Sequence, residues 1–511
     1  MRYYIFTFSL LTYSLFTAQT APSIEWQKAL GGTQGETAHY TQQTSDGGYI
    51  MAGDTSSNDG DVSGNHGEGD GWVVKMDGSG NIQWQKALGG SNNDIFQSIR
   101  QTTDGGYIAA GSSKSTDGDT TVNHGNFDFW VVKLDNSGNI QWQKSLGGSG
   151  IDEAQSIQQT AEGGYIVAGT SSSNDGDVSG NQGGQDYWVV KLDSYGNIQW
   201  QKSLGGSDSD QLNSVQQTFD GGYIIAGTTV STDGHITVSY GNNDFWVVKL
   251  DLSGNIQWEK TLGNIGDNLG YSAQQTFDGG YIVVGTSYDP TNIENGLPDY
   301  WVVKLNNSGV IQWDKYLGGS LHDNAITIRQ TPEWEYIVGG WTISNNGQVT
   351  GNHGDLDYWI VKLDTNGNLK WEKTLGGPDT EYFSSIELTN DNGYIVSGNT
   401  FSTSGDITGN HGLIDAWVVK LSPEQLGISE NHPTNKPNLY PNPSKDFFYA
   451  DHLPKETVIS ITDMSGRKLF SQKYNEEKIK INTATFSEGI YIVQIKNKDG
   501  IILSKKITVS R

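Results

Sequence analysis

The chain has 511 residues, of which 67 are Gly, 16 are Trp and none is Cys. About 13% Gly against a usual share of roughly 7% asks for many turns, while an aromatic content of 11% excludes collagen-like and disordered chains. The lack of Cys excludes disulfide scaffolds, thiolate metal sites and cysteine nucleophiles, and a net charge of −26 lacks the basic footprint that nucleic acid needs.

Met1 and Arg2 precede an apolar run over residues 3–16, closed by small and polar residues, which predicts a secretory signal peptide over 1–20. The run is about 14 residues, short of the roughly 20 that span a bilayer, so no transmembrane segment is expected. Export without cysteines fits a bacterial envelope or an extracellular destination.

From there to residue 422 one unit is written seven times. Trp-Val-Val-Lys, with Ile for the first Val in one copy, begins at Trp72, Trp130, Trp188, Trp246, Trp301, Trp359 and Trp417, at intervals of 58, 58, 58, 55, 58 and 58 residues. A second series, Trp26, Trp84, Trp142, Trp200, Trp258, Trp313 and Trp371, keeps the same beat. Each period holds four strand candidates, in the third copy 140–146, 156–160, 164–170 and 187–193, separated by Gly-, Asp- and Asn-rich turns. Four antiparallel strands in 58 residues predict an all-β, seven-bladed β-propeller over 22–422; a β-solenoid coil needs only about 20 to 30 residues. The first strand is of the Trp-Gln-Lys kind and the last of the Trp-Val-Val-Lys kind, so seven full blades require the N-terminal strand to join the final three. The polar segment 156–160 suits a wet central channel, and the apolar Tyr165-Ile166-Val167-Ala168-Gly169 suits a strand sandwiched between blades. With its Asp-aromatic-Trp-Val-Val-Lys-Leu-Asp strand, Leu-Gly-Gly-Ser turn and Gly-Tyr-Ile-Val-Ala-Gly strand, the segment 24–421 resembles bacterial seven-bladed propeller repeat proteins. That resemblance implies a fold and an extracellular setting, not an activity.

The long loop of each repeat offers the first candidate chemistry. Asp59, Asp61, Ser63 and Asp70, and again Asp175, Asp177, Ser179 and Asp186, have the oxygen-ligand spacing of a calcium loop, with Gly64 and Gly180 at the sixth position. Against calcium, the fourth copy has His235 in place of the second carboxylate and the sixth has Asn346 and Gln348 in place of the first two, position 12 is Asp, and the same residues build tight turns. Asp70, Asp128, Asp186, Asp244, Asp299, Asp357 and Asp415 recur as seven equivalent carboxylates, an arrangement read as structural hydrogen bonding. His66, His124, His353 and His411 are replaced by Gln182 and Tyr240 in other copies, which argues against a His-based metal site.

A ligand site should show as a departure from the repeat. The sixth copy has Pro332-Glu333-Trp334-Glu335 where others have Asp-Gly-Gly, and adds Trp341; the fifth has a different long loop over 289–298. Trp334 and Trp341, with Glu333 and Glu335, are therefore the candidate glycan- or protein-binding residues.

Residues 423–437 read as a linker, and the charge then inverts: 438–511 hold 12 Lys+Arg and 8 Asp+Glu (net +4), leaving 20 and 50 (net −30) for 1–437. Alternating strands at 457–462, 468–473, 478–481, 489–496 and 501–509 predict a small immunoglobulin-like β-sandwich. Tyr440-Pro441-Asn442-Pro443, then Asp463-Met464-Ser465-Gly466-Arg467, Gly489-Ile490-Tyr491 and Lys505-Lys506 make this tail similar to the type A sorting domain of the type IX secretion system. The resemblance implies an outer-membrane translocon and a sortase-like protease as partners, and a mature protein released or attached to the surface.

Together these readings predict a secreted or cell-surface binding or scaffold protein, with no cofactor unless the loops hold calcium. The rivals are an extracellular polysaccharide lyase or glycosidase, which would need a cluster of nonrepeated charged residues, and a structural surface protein without a small ligand. The acidic total predicts a partner that is neutral, cationic or bridged by metal.

Overall fold

A computed structural model describes residues 20–264, 266–288, 297–424, 437–440, 442, 444–463, 467–497 and 500–510. The signal peptide over 1–19, most of the linker and the unusual loop of the fifth copy lie outside them.

Seven four-stranded antiparallel sheets form the blades, six of them with their strands in sequence order from the axis outward. In the first blade these are Glu36–Gln43, Tyr49–Thr55, Asp70–Met76 and Ile82–Leu88. The seventh blade takes Glu381–Leu388, Tyr394–Thr400 and Asp415–Leu421 from one end of the repeat region and Ile24–Leu30 from the other. Ile24–Leu30 pairs from Ile24↔Leu421 to Leu30↔Ala416, and beyond it Ser422 N–H donates to Ser23 O at 2.9 Å. The ring is thus closed as the strand count requires, and no blade is left with an open inner array.

The polar strand is innermost, as its composition predicts, but it starts earlier: Asp152–Gln159 in place of 156–160. The missed part lies before a bulge between Ala154 and Ser156, which recurs at Ala38/Tyr40, Phe96/Ser98, Leu212/Ser214, Gly270/Ser272, Ala325/Thr327 and Phe383/Ser385. One extra residue per copy re-aims the side chains after it toward the axis.

Blade-to-blade packing is aromatic. Trp188 is fully buried with its ring 4.5 Å from Phe129 of the preceding blade, and Tyr187 repeats the contact with Trp246 at 4.7 Å. Gly71 breaks the pattern in the first blade, and Phe96 fills the space a side chain there would take. The outer Trp series is half-buried except for the buried Trp371: Trp142 lies over the next blade's turn at Gly196 (φ +78°), where a Cβ would meet the ring at 2.8 Å. The lysine of Trp-Val-Val-Lys is buried as well; Lys191 is 3% exposed and held by Glu162 at 3.0 Å, Leu192 O at 3.1 Å and Gln199 at 3.2 Å.

Neighbouring blades are also latched by glutamine. Gln159 Oε1 accepts the Thr103 N–H of the preceding hairpin at 2.8 Å, and Gln43, Gln101, Gln217, Gln275 and Gln330 repeat the bond. In the sixth copy the donor position is Pro332, which has no N–H, and the matching glutamine is Leu388. The donor and the acceptor are thus both missing from the same latch.

In the tail, Asn438–Tyr440, Phe447–Asp451 and Ile479–Asn482 form one sheet, and Lys468–Tyr474, Thr457–Asp463, Gly489–Asn497 and Gly500–Val509 the other. Phe448, Ile459, Ile461, Val493, Ile495 and Ile507 pack between them.

Candidate functional site

The sequence candidates in the sixth blade do not converge. Trp334 (φ +69°) sits in the hairpin between the first and second strands, edge-on to Phe277 at 5.6 Å. Glu335 beside it is engaged by Lys370 at 2.6 Å and Lys362 at 3.5 Å, and Glu333 is exposed. Trp341 lies near the other end of the strand Tyr336–Thr342, half-buried with its ring 4.9 Å from His322. One seven-residue strand separates the two tryptophans, which therefore belong to opposite faces of the ring.

The calcium-like loops send their oxygens to separate partners. Asp59 Oδ1 and Oδ2 accept from Thr33 N–H and Oγ1, both at 2.8 Å; Asp61 accepts from Gly31 N–H at 3.3 Å, Ser63 from Gln85 at 2.7 Å, and Asp70 from His66 N–H at 3.0 Å. In the third copy Asp175 bonds Ser149 N–H, Asp177 bonds Gly147 N–H, Ser179 takes Gln201, and Asp186 takes Gln182 N–H. Each set ties a long loop to the Leu-Gly-Gly turn leading into the blade, the behaviour of turn-building Asp and Ser. Among the described residues no group of three or more acidic or His side chains could hold a metal ion.

The repeated Asp before each aromatic-Trp pair faces a second acid from the next blade, except Asp244, which faces Asn268. A side chain on Gly89 would meet Asp94 Oδ2 at 2.5 Å and Asp70 Oδ1 at 2.7 Å, and Gly147 and Gly205 stand likewise between Asp152 and Asp128 and between Asp210 and Asp186. Burial raises Asp70, Asp128, Asp357 and Asp415 above the ordinary carboxylate range and pushes Asp186 to about 6, and the facing acid adds to the shift in Asp70, Asp128 and Asp186. Acids with raised folded values take up protons on folding, so their contribution is fully present below the unfolded value near 4 and is lost as pH rises through the folded value. Asp46 and Asp104, lowered to about 2 with Lys75 and Lys133 as partners, contribute a constant amount above about pH 5. Thermal unfolding should therefore give a higher midpoint at pH 5 than at pH 8, and Asp186→Asn should narrow the gap.

The chemistry that the turns did not announce lies on the axis. At one register of the seven inner strands stand Gln42, Arg100, Gln158, Gln216, Gln274, Arg329 and Glu387, lining a cavity of about 390 Å³. The three charged residues and Tyr40 occupy one arc. Arg329 donates Nε and Nη2 to Glu387 Oε1 at 2.8 and 2.6 Å, and Tyr40 donates its hydroxyl to the same oxygen. The Arg100 guanidinium stacks 3.7 Å from the centre of the Tyr40 ring. Blades six, seven, one and two thus supply a continuous Arg329–Glu387–Tyr40–Arg100 chain, two cations to one anion. This is the nonrepeated charged cluster that loop reading missed; aligning the seven copies at Gln158 is the signal that finds it.

In the tail, Asn442 clamps the last strand, donating to Lys506 O at 3.0 Å and accepting Thr508 N–H at 2.8 Å. Asp463 holds Arg467 at 3.0 Å, and Tyr491 donates to Ser487 O at 2.7 Å. Gly489, Lys505 and Lys506 lie on the last two strands; Pro441, Pro443 and Gly466 lie outside the described residues.

Residues 438–510 match the secretion system C-terminal sorting domain. Proteins with this tail are exported through the type IX system and are secreted or attached to the cell surface. Among the described residues no helix is long and apolar enough to cross a membrane. The chain is 27% identical over 202 residues to the regulatory protein FlaEY of Caulobacter vibrioides, a match covering 35% of this chain and 20% of that protein. It is similar to the structure of PorZ, an essential bacterial surface component of the type-IX secretion system of Porphyromonas gingivalis (13% identity, TM-score 0.39, 94% of this chain and 60% of that one). It is similar also to the Pan2 WD40 domain of Neurospora crassa (12% identity, TM-score 0.45, 78% and 96%). The chain thus spans a fifth of the curated relative and less than two thirds of PorZ.

Proposed function

We propose that this chain is an exported β-propeller binding protein whose ligand enters the axial channel, and that its tail is read by the type IX translocon and a sortase-like protease. The observation that carries the binding reading is the Arg329–Glu387–Tyr40–Arg100 arc, four consecutive departures gathered by the ring onto one wall of a cavity large enough for a small molecule. Scattered drift would spread such departures over all seven blades.

Binding is favoured over turnover by how the arc is held. Glu387 is the one carboxylate at its register, and Arg329 and Tyr40 both occupy one of its oxygens. Glycoside hydrolysis in its usual form needs two carboxylates within about 10 Å flanking the bond. The full chain should therefore release no new reducing ends by hydrolysis of polysaccharides.

A glycan array and a pull-down with the full chain test the reading, alongside Gln42→Trp, which fills the channel, and Trp334→Ala, which alters one face. A ligand kept by Trp334→Ala and weakened at least tenfold by Gln42→Trp is expected. The reverse pattern would move the site to the face, and no ligand in either assay would leave a structural role.

A further inference from the structure

The channel wall offers donors with few acceptors to balance them. The side-chain Oε1 atoms of Gln158, Gln216 and Gln274 accept the backbone N–H groups of Gln217, Gln275 and Gln330 at 2.9, 2.9 and 2.7 Å. A backbone N–H can bond only an acceptor, so the carbonyl end of each amide is fixed against the wall and the NH₂ end is left for the lumen. Glu387 is taken up by Arg329 and Tyr40. Arg100 bonds only a backbone carbonyl, Ile99 O at 3.4 Å, and no carboxylate is bonded to it among the described residues. Its remaining N–H groups, like the three amides, line the same cavity.

We propose that the channel binds the carboxylate of a small hydroxylated acid of the uronic acid class, with Arg100 taking the carboxylate and the amides of Gln158 and Gln216 taking its oxygens and neighbouring hydroxyls. The inference rests on the channel being the binding site. A guanidinium with free N–H groups matches a carboxylate in two-pronged geometry. Gln and Ser side chains around it, among them Ser156, Ser214 and Ser272, suit a hydroxylated body better than an apolar one. Size follows from charge: with 20 Lys+Arg against 50 Asp+Glu over 1–437, the outer surface repels a long polyanion, whereas a monomer or a chain end reaches a lumen of opposite sign. The overall charge, which pointed to a neutral or cationic partner, is a property of the outside and not of the lumen.

Calorimetric titration of the full chain with galacturonate and digalacturonate, against galactose and galactobiose, decides the matter. The acids should bind at least tenfold more tightly than their neutral counterparts. Arg100→Gln, which restores the residue four other copies carry, should bring the acids down to the neutral level, with Arg100→Lys between. Equal binding of acid and neutral sugars, or an acid preference that survives Arg100→Gln in a variant with an unchanged melting curve, would overturn the acid inference and leave the channel reading standing. No binding of any of the four would count against both.

Discussion

Deleting Ile24–Leu30 is expected to abolish cooperative unfolding of the propeller and send much of the protein into aggregates. The strand supplies the outer edge of the seventh blade, pairing with Asp415–Leu421 from Leu421 to Ala416. It also buries Ala29 and Leu30 and sets Trp26 edge-on to Tyr49 of the first blade at 5.3 Å. Truncating one large core side chain costs about 3 kcal/mol, and a domain holds only about 5 to 15 kcal/mol in total. Losing a whole strand, its ladder and the link between the first and last blades removes a large share of that. The exposed strand Asp415–Leu421, buried along its whole length in the intact ring, would then template pairing with other chains. Size-exclusion chromatography with a thermal melt reads the outcome; a monomer melting within a few degrees of the full chain would mean the ring does not depend on this strand.

The second large effect separates the two tryptophan series. Trp188→Ala should cost about 3 to 5 kcal/mol, because the ring is fully buried and its removal leaves a cavity against Phe129. It also strands the Gln201 carbonyl, which accepts the indole N–H at 2.9 Å. Trp142→Ala, from the outer and half-buried series, should cost roughly half as much, since part of the ring is already in water and water refills the space over Gly196. Urea denaturation of the two variants gives the comparison. Equal costs would mean that the outer series carries as much of the blade packing as the inner one.

Much of this architecture was legible because one packing demand recurs every 58 residues. Trp188 must meet an aromatic residue of the blade before it, and Gly196 must leave room for Trp142, so the same letters return and the strand count announces closure. The inner strand starts at Asp152, ahead of the predicted 156–160, although its first residues include the acids Asp152 and Glu153, which are poor strand formers. Asp152 is buried, accepting Gly148 N–H and the Ser171 and Ser173 hydroxyls, and tertiary bonds of that kind override strand propensity. The channel arc stayed hidden for a different reason. Arg100, Arg329 and Glu387 replace Gln inside a strand whose pattern is otherwise intact, and they come from copies two, six and seven, so no local window holds two of them. Only the ring brings them together. Pro332 was visible as a departure, but its meaning required the partner Leu388 in the next copy.

The closed ring is the claim on which blades, channel and arc all depend, and the absence of cysteine makes it directly measurable. The hydroxyls of Ser23 and Ser422 lie 3.1 Å apart although 399 residues separate them in sequence. In the double variant Ser23→Cys, Ser422→Cys, mild oxidation should form one intramolecular disulfide, seen by mass spectrometry as a single linked peptide pair in the monomer. Two free thiols, or disulfides found only between molecules, would contradict the closed seven-bladed ring.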